Sequence, residues 1–143
     1  MAVKPSDRPV VLCVEDDRST QQILAKILAR LPVTPLLAAD PLQAIELARQ
    51  YQPQLLMLDL MLPRMSGWEL LARIRAGAPG RDLRVIILTA KDSSSERLVA
   101  ANVAQVDLFE SKPFDPVLLG RSVLQLLNLP LDDDVWATPK STD

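Results

Sequence analysis

Polar side chains that could act together in chemistry follow four short apolar runs of the sequence. Glu15 and Asp16 follow the first of these runs, and Asp59, Thr89 and Lys112 follow three later ones. In an open parallel sheet, the carboxyl ends of the strands line one crevice, where such groups would meet. Each residue alone has an ordinary explanation as a helix cap, a turn residue or a solvated charge. Their shared position after apolar runs favours a common site.

Three of these side chains, Glu15, Asp16 and Asp59, are carboxylates. Carboxylates gathered in a partly dry crevice repel one another unless a cation lies between them. Oxygen ligands without histidine or cysteine are typical of Mg²⁺, which takes one or two carboxylates and keeps several waters. The charges of three carboxylates, Mg²⁺ and Lys112 sum to zero. The residues therefore predict a magnesium site.

The composition excludes several other kinds of chemistry. The 143 residues include no histidine and a single cysteine, Cys13, which lies inside an apolar run. Without histidine the chain lacks the usual general base and the commonest zinc ligand, and one cysteine forms no internal disulfide. Sixteen basic and 18 acidic residues give a net charge of −2. This balance disfavours direct binding to nucleic acid or to anionic lipid.

The sequence has no pattern typical of targeting or of a membrane span. Residues 1–9 contain no apolar signal core, and no stretch approaches the roughly 20 apolar residues that cross a bilayer. We therefore expect a cytoplasmic protein without membrane insertion.

Five apolar runs predict five strands. The runs at 10–14, 55–58 and 85–88 are unbroken, as in strands buried on both faces of a parallel sheet. A weaker run at 33–37 contains two polar or imino residues, and a more polar fifth strand is expected at 106–109.

Helical signals follow each of the five runs. A broad apolar stripe at 23–31 indicates the first helix. Asp40-Pro41 and Asp115-Pro116 each combine an N-cap residue with proline at the first helical position. Two Ser-x-x-Glu capping boxes, at 66–69 and 93–96, predict helices that run to about Ala76 and Val103. In the last helix, extensive packing is expected of Val117, Leu118, Leu119, Val123, Leu124, Leu126 and Leu127.

Strand and helix thus alternate five times, which predicts an α/β fold with right-handed crossovers. The expected architecture is a doubly wound five-stranded parallel sheet in the flavodoxin-like order 2-1-3-4-5, with helices on both faces. Prolines beside the second strand suit an edge position. We divide the chain into an N-terminal extension at 1–8, one domain at 9–128 and an acidic tail at 129–143. A docking segment anchored by Trp136 is the alternative interpretation of the tail.

Four segments in order resemble the receiver domain of two-component response regulators, the CheY-like family. They are Val14-Glu15-Asp16-Asp17, the stretch from Leu58 to Gly67, Ile87-Leu88-Thr89-Ala90 and Ser111-Lys112-Pro113-Phe114. The resemblance spans residues 9–128. It implies a signalling domain that assists its own phosphorylation and dephosphorylation rather than an enzyme with a separate substrate.

The resemblance also implies roles for the site residues. Asp59 is the expected phosphoryl acceptor, and Lys112 is expected to pair with the phosphoryl oxygens. Mg²⁺ is expected on Asp16, Asp59 and the main-chain carbonyl of Met61, with Glu15 acting through water. By the same resemblance, the Lys112-Pro113 peptide bond is expected to be cis.

Phosphorylation in this family changes partner binding. The resemblance assigns the switch to Thr89, drawn toward the phosphoryl group, and to Phe109, which turns inward. The expected partners are a sensor histidine kinase or phosphotransfer protein and a downstream output protein. The output protein would bind the face formed by the fourth predicted helix, the fifth strand and the fifth helix, and a homodimer through the same face stays open.

We expect a stand-alone response regulator, and several alternatives stay open. The chain could be the receiver fragment of a longer transcription factor, hybrid kinase or enzyme, or a degenerate receiver that binds partners constitutively. An aspartyl phosphatase of the haloacid-dehalogenase type needs a second acid where this chain has Met61. A flavin-binding protein needs a phosphate loop where Glu15, Asp16 and Asp17 would repel phosphate.

Overall fold

Five strands and four helices are formed by the residues that the computed structural model describes, 7–78, 82–89 and 105–131. In chain order they are β1 (Val10–Val14), α1 (Arg18–Ala29), β2 (Thr34–Ala38), α2 (Pro41–Tyr51), β3 (Leu55–Asp59), α3 (Gly67–Ala76), β4 (Arg84–Thr89), β5 (Leu108–Ser111) and α4 (Pro116–Leu126). No helix among these residues is both long and apolar enough to span a bilayer.

The strands form one parallel sheet in the order β2-β1-β3-β4-β5. The predicted architecture is therefore confirmed. Every residue of β3 is buried, whereas β2 alternates between exposed and partly or fully buried positions. This contrast follows from the order, because β3 lies between two neighbours and β2 lies at an edge. Pro35, which has no N–H to donate, is tolerated in the edge strand.

Two apolar layers cover the sheet. On one face, α1 and α4 pack against alternate strand residues such as Val11, Cys13 and Met57. On the other, α2 and α3 pack against the intervening residues, including Leu12 and Leu58. Because both faces are covered, the central strands need apolar residues at every position. This requirement explains the unbroken runs in the sequence.

Short polar side chains begin all four described helices. Asp17, Asp40, Ser66 and Asp115 each accept a hydrogen bond from a backbone N–H of the following turn. Three of these starts, at Asp40, Ser66 and Asp115, agree with the predicted N-caps. The capping box at 93–96 and the helix predicted from it lie outside the described residues.

The fifth strand begins two residues later than predicted, at Leu108 rather than Val106. Asp107 explains the difference, because its carboxylate accepts a hydrogen bond from the Val85 N–H at 2.8 Å, and its own N–H donates to the Val85 carbonyl at 3.0 Å. The Asp107 carboxylate thus accepts the hydrogen bond that a backbone carbonyl accepts in a regular ladder. Regular pairing between β4 and β5 begins only at Leu108.

Two residues predicted to pack in the last helix are instead exposed. Val117 and Leu118 retain 37% and 57% of their accessible surface, whereas Leu119, Val123 and Leu124 are buried. The buried set lies at i, i+4 and i+5, a stripe too narrow to include the two residues before it. The predicted packing of Val117 and Leu118 is therefore wrong.

Gly67, the first residue of α3, lies unusually close to the end of β3. A Cβ added to Gly67 would lie 2.8 Å from Leu60 Cα and 3.0 Å from the Asp59 carbonyl oxygen. Because these are backbone atoms, the loop would have to shift. We expect Gly67→Ala to lower the free energy of unfolding by about 1–3 kcal/mol, measured by urea denaturation.

Gly77→Ala is the matched control. Gly77 caps α3 with a φ of −73°, and among the described residues the nearest atom to an added Cβ would be the Ile74 carbonyl oxygen, at 3.5 Å. This variant should be neutral or more stable by up to about 1 kcal/mol. Equal losses in the two variants would show that the close approach at Gly67 has no energetic weight.

Candidate functional site

The ends of three parallel strands bring acidic and basic side chains together. Glu15 follows β1, Asp59 is the last residue of β3, and Lys112 follows β5. β1 and β3 are neighbours in the sheet, so the two carboxylates meet at its carboxyl edge. β4 lies between β3 and β5, and the long side chain of Lys112 reaches across it.

Lys112 contacts both buried carboxylates. Its Nζ donates to Glu15 Oε1 at 2.6 Å and to Asp59 Oδ2 at 3.3 Å. The Glu15 side chain is fully buried and that of Asp59 retains 7% exposure, whereas Lys112 retains 29%. Lys112 is therefore the most exposed of these three residues, and the carboxyl groups of Glu15 and Asp59 are buried beneath its side chain.

Asp59 is held in its ionised form. Burial opposes ionisation, but hydrogen bonds from the Glu15 carboxyl, the Met61 N–H and Lys112 outweigh it and lower the pKa of Asp59 below its ordinary value. The Met61 N–H lies 2.9 Å from Asp59 Oδ1. At neutral pH Asp59 is thus a buried carboxylate with a lysine beside it, the state a nucleophilic carboxylate needs.

Glu15 shows the opposite behaviour. Burial, followed by the neighbouring Asp59 carboxylate, raises the pKa of Glu15 to about 8, although Lys112 acts in the other direction. Among the described residues, no group donates a hydrogen bond to Glu15 Oε2. A fully buried carboxylate oxygen that accepts no hydrogen bond is costly when it is ionised, and this one lies within the acidic cluster.

The three carboxylates predicted to hold Mg²⁺ lie within reach of one ion. Glu15, Asp16 and Asp59 each offer one oxygen, and these oxygens lie within 4.8 Å of one another. Asp16 is exposed, whereas the other two are buried, so one side of the cluster faces solvent. An oxygen-only donor set with a partnerless buried oxygen fits a hard, partly hydrated cation such as Mg²⁺.

Two residues next to the acidic pair hold the loop between β1 and α1. Asp17 accepts hydrogen bonds from the Thr20 N–H at 2.9 Å and from the Thr20 hydroxyl at 2.7 Å, and these bonds lower the pKa of Asp17. The Gln21 side-chain amide donates to the Glu15 carbonyl. Sequence reasoning missed Gln21, because only the helical turn between them brings its amide back to Glu15.

The remaining predicted site residues lie on β4, on β5 and in the loop after β3. Thr89 ends β4 opposite Ser111 of β5, and only its backbone is described. Phe109 is partly buried and packs against the core beneath α2 and α3. Met61 is 71% exposed. The Lys112-Pro113 peptide bond is cis, as expected.

A comparison with models of protein families identifies the family of this domain. Residues 11–123 match the model of the response regulator receiver domain. The chain belongs to this family. The matched range lies within the domain predicted at 9–128, and it contains every residue of the acidic cluster together with Lys112.

Individual relatives agree with the assignment to the receiver family. The response regulator MprA of Mycobacterium ulcerans is 38% identical over 125 residues, which cover 87% of this chain and 53% of that protein. MprA of Mycobacterium leprae is 36% identical, again over 87% of this chain and 53% of that protein. The chain thus spans about half the length of the curated relatives it matches.

Solved structures share the fold. The signal receiver domain of an HD domain-containing protein from Pseudomonas fluorescens has a TM-score of 0.76 and 31% identity, over 85% of this chain and 95% of that one. The receiver domain of the sensor histidine kinase PA1611 from Pseudomonas aeruginosa has a TM-score of 0.74 and 27% identity, over 85% and 98%. The latter structure contains a magnesium ion coordinated in the active-site cleft.

Magnesium binding by this receiver should depend on pH through Glu15. With a pKa of about 8, Glu15 is protonated at neutral pH before the metal binds, and a cation displaces the proton. We expect Mg²⁺ affinity to rise by up to about tenfold per pH unit between pH 6 and 8 and to level off above pH 8. Calorimetry in buffers of different ionisation enthalpy measures both the affinity and the released proton.

Glu15→Gln removes the titrating group and should flatten this dependence. Glu46→Gln, which alters an exposed glutamate on α2 that pairs with Arg49, should retain it. A slope that survives in Glu15→Gln would assign the proton to another group.

Proposed function

We propose that this receiver accepts a phosphoryl group on Asp59 from the phosphohistidine of a sensor histidine kinase or phosphotransfer protein. The observation that carries the proposal is the state of Asp59, a buried carboxylate with a lowered pKa and with Lys112 Nζ 3.3 Å from its Oδ2. Membership of the receiver family supports the same reaction. The 143 residues contain no histidine, so the phosphohistidine lies outside them.

The reaction forms one bond and breaks one. A carboxylate oxygen of Asp59 attacks the phosphorus atom, and the P–N bond to the partner's imidazole breaks, leaving an acyl phosphate on Asp59. The imidazole keeps the bonding electrons and takes a proton from solvent. Lys112 supplies a positive charge for the phosphoryl oxygens, which replace its contact with Asp59 as charge on them develops.

Glu15, Asp16, Asp59 and the main-chain carbonyl of Met61 would hold Mg²⁺. The carboxylate geometry supports the first three, and Met61 follows from the resemblance to the family. When bound, the ion neutralises negative charge and orients the transferred group. The N-cap at Asp17 and the amide of Gln21 keep the loop that carries Glu15 and Asp16 in place.

The output of this reaction is a change in partner binding. We assign the switch to Thr89 and Phe109, because both lie on strands that border the site. Phe109 carries no hydroxyl, so its inward state would depend on packing rather than on a hydrogen bond. A downstream protein would bind the face that includes β5 and α4, and a second copy of the chain could use the same face.

We further propose that this receiver acts in the cytoplasm as a stand-alone regulator that signals by binding. The alternative is a receiver within a longer regulator, since the relatives are about twice as long as the matched region. The reading frame of the gene distinguishes the two. A frame that encodes an attached output domain would contradict the stand-alone proposal and leave the receiver chemistry unchanged.

Intact-mass spectrometry tests the proposed chemistry. The protein is incubated with acetyl phosphate in the presence of Mg²⁺ or of a chelator. We expect an adduct with the mass of one phosphoryl group only when Mg²⁺ is present. Absence of an adduct, together with failure to bind beryllofluoride, would favour a degenerate receiver that binds its partners constitutively.

A further inference from the structure

Helices α1 and α4 leave an open apolar groove between them, on the face of the sheet opposite α2 and α3. The groove has a volume of about 380 Å³ and is lined by Ile23, Ile27 and Val117, with Lys26 and Arg30 at its rim. Ile23 is 45% exposed and Val117 is 37% exposed. Cavities of this size accommodate groups much larger than one aromatic side chain.

The charged side chains of α1, of its C-cap Arg30 and of α4 are all basic, and the neighbouring acidic residues Asp17 and Asp115 are the helix N-caps. The sequence contains Arg18, Lys26 and Arg30 between residues 18 and 31, and Arg121 between residues 116 and 131, with no aspartate or glutamate in either segment. The rest of the chain is therefore acidic by comparison, because the net charge is −2. The groove suits an occupant that combines an apolar anchor with several negative charges.

Such an occupant follows directly in the chain. Pro130 lines a second cavity of about 440 Å³, and Arg30 lines both this cavity and the groove. Leu131 is 58% exposed, and the sequence continues with Asp132-Asp133-Asp134-Val135-Trp136. Five extended residues span about 17 Å, whereas Arg30 and Ile23 lie about 10 Å apart along α1. Trp136 can therefore reach the whole groove.

We propose that residues 132–136 bind in the groove between α1 and α4 of the same molecule, with Trp136 in its apolar part and the three aspartates facing Lys26 and Arg30. Two effects would favour this binding. The indole is buried against apolar side chains, and the three aspartates lie beside basic side chains at the rim. While the segment is bound, another protein that uses this face has to displace it.

Fluorescence of Trp136 tests the proposal in the full chain. The sequence has two tryptophans, so Trp68→Phe leaves Trp136 as the single reporter, and circular dichroism confirms the fold of this variant. The acrylamide quenching constant is compared with that of a synthetic peptide of residues 129–143. We expect the constant in the protein to be at least twofold lower. A constant equal to that of the peptide would overturn the proposal.

Charge variants in the Trp68→Phe background test the location. Lys26→Glu with Arg30→Glu should raise the quenching constant to the value of the peptide. Arg49→Glu with Arg73→Glu makes the same change in net charge on α2 and α3 and should have no effect. If reversal at the groove disturbs folding, replacing the three aspartates 132–134 with asparagine leaves the folded domain unaltered and should release Trp136 equally.

Two further outcomes would contradict the proposal. Protection of Trp136 that survives both the reversal at the groove and the neutralised aspartates would place the segment elsewhere. Protection that rises with protein concentration, with a dimer mass in light scattering, would show that the groove takes the segment of a second copy.

Discussion

Asp59→Asn is expected to abolish phosphoryl acceptance while the protein keeps its fold. An amide oxygen at this position still accepts the hydrogen bond from the Met61 N–H, which lies 2.9 Å from Asp59 Oδ1. Lys112 still has Glu15 at 2.6 Å. The nucleophile, however, is gone, because a neutral amide oxygen does not form a stable acyl phosphate. We expect no phosphoryl adduct with acetyl phosphate and unchanged circular dichroism.

Asp17→Asn is the matched control for this loss. Asp17 lies beside the acidic pair but acts as the N-cap of α1, and asparagine caps helices as well as aspartate does. Labelling should therefore continue in this variant. Continued labelling of Asp59→Asn would move the acceptor to another residue, and loss of labelling in both variants would make the effect one of loop structure.

Lys112→Ala should show the second largest effect. Removing a positive charge that the transferred phosphoryl group contacts should slow phosphorylation by about 100-fold or more. Magnesium affinity should not fall, because the lysine Nζ lies 2.6 Å from Glu15 and 3.3 Å from Asp59 and repels a cation bound there. Phosphorylation rates and magnesium titration by calorimetry give the two quantities separately.

Arg49→Ala provides a control for the loss of one positive charge, since Arg49 pairs with Glu46 on the surface of α2. It should leave both quantities unchanged. If magnesium affinity and phosphorylation rate fell together in Lys112→Ala, the lysine would act by arranging the acidic cluster rather than by contacting the phosphoryl group.

The fold was predictable because its physical demands repeat along the chain. A sheet covered on both faces requires unbroken apolar strands, and the runs at 10–14, 55–58 and 85–88 show this pattern. Helix starts were predictable where an N-cap and a proline occur together, as at Asp40 and Asp115. The beginning of β5 was not, because the pairing of Asp107 with Val85 depends on a contact across 22 residues.

The composition of the site was predictable, but its electrostatics were not. Position after a strand indicated that Glu15, Asp59 and Lys112 would meet. Neighbouring residues at a strand end turn to opposite sides, so the sequence could not show which of the two is buried. In the structure Glu15 is fully buried and Asp16 is exposed. The opposite pKa shifts of Glu15 and Asp59 follow from their contact with each other in a buried site, where the Glu15 carboxyl donates a hydrogen bond to the Asp59 carboxylate, and from Lys112.

The exposed apolar residues of α4 illustrate a different limit. Val117 and Leu118 belong to an apolar sequence whose other members are buried or partly buried, so hydrophobicity alone predicted packing. The position of α1 decides which of them is covered. Val117 lines the groove instead, beside Ile23 of α1.

Locating the phosphoryl group on the wild-type chain tests the assignment of Asp59 as the acceptor. The protein is treated with acetyl phosphate and Mg²⁺, the acyl phosphate is reduced with borohydride, and the digested peptides are sequenced by mass spectrometry. Reduction converts a phosphorylated aspartate to homoserine. We expect homoserine at position 59 alone and none when Mg²⁺ is chelated. Homoserine at position 16 or 17, or at position 59 irrespective of Mg²⁺, would contradict it.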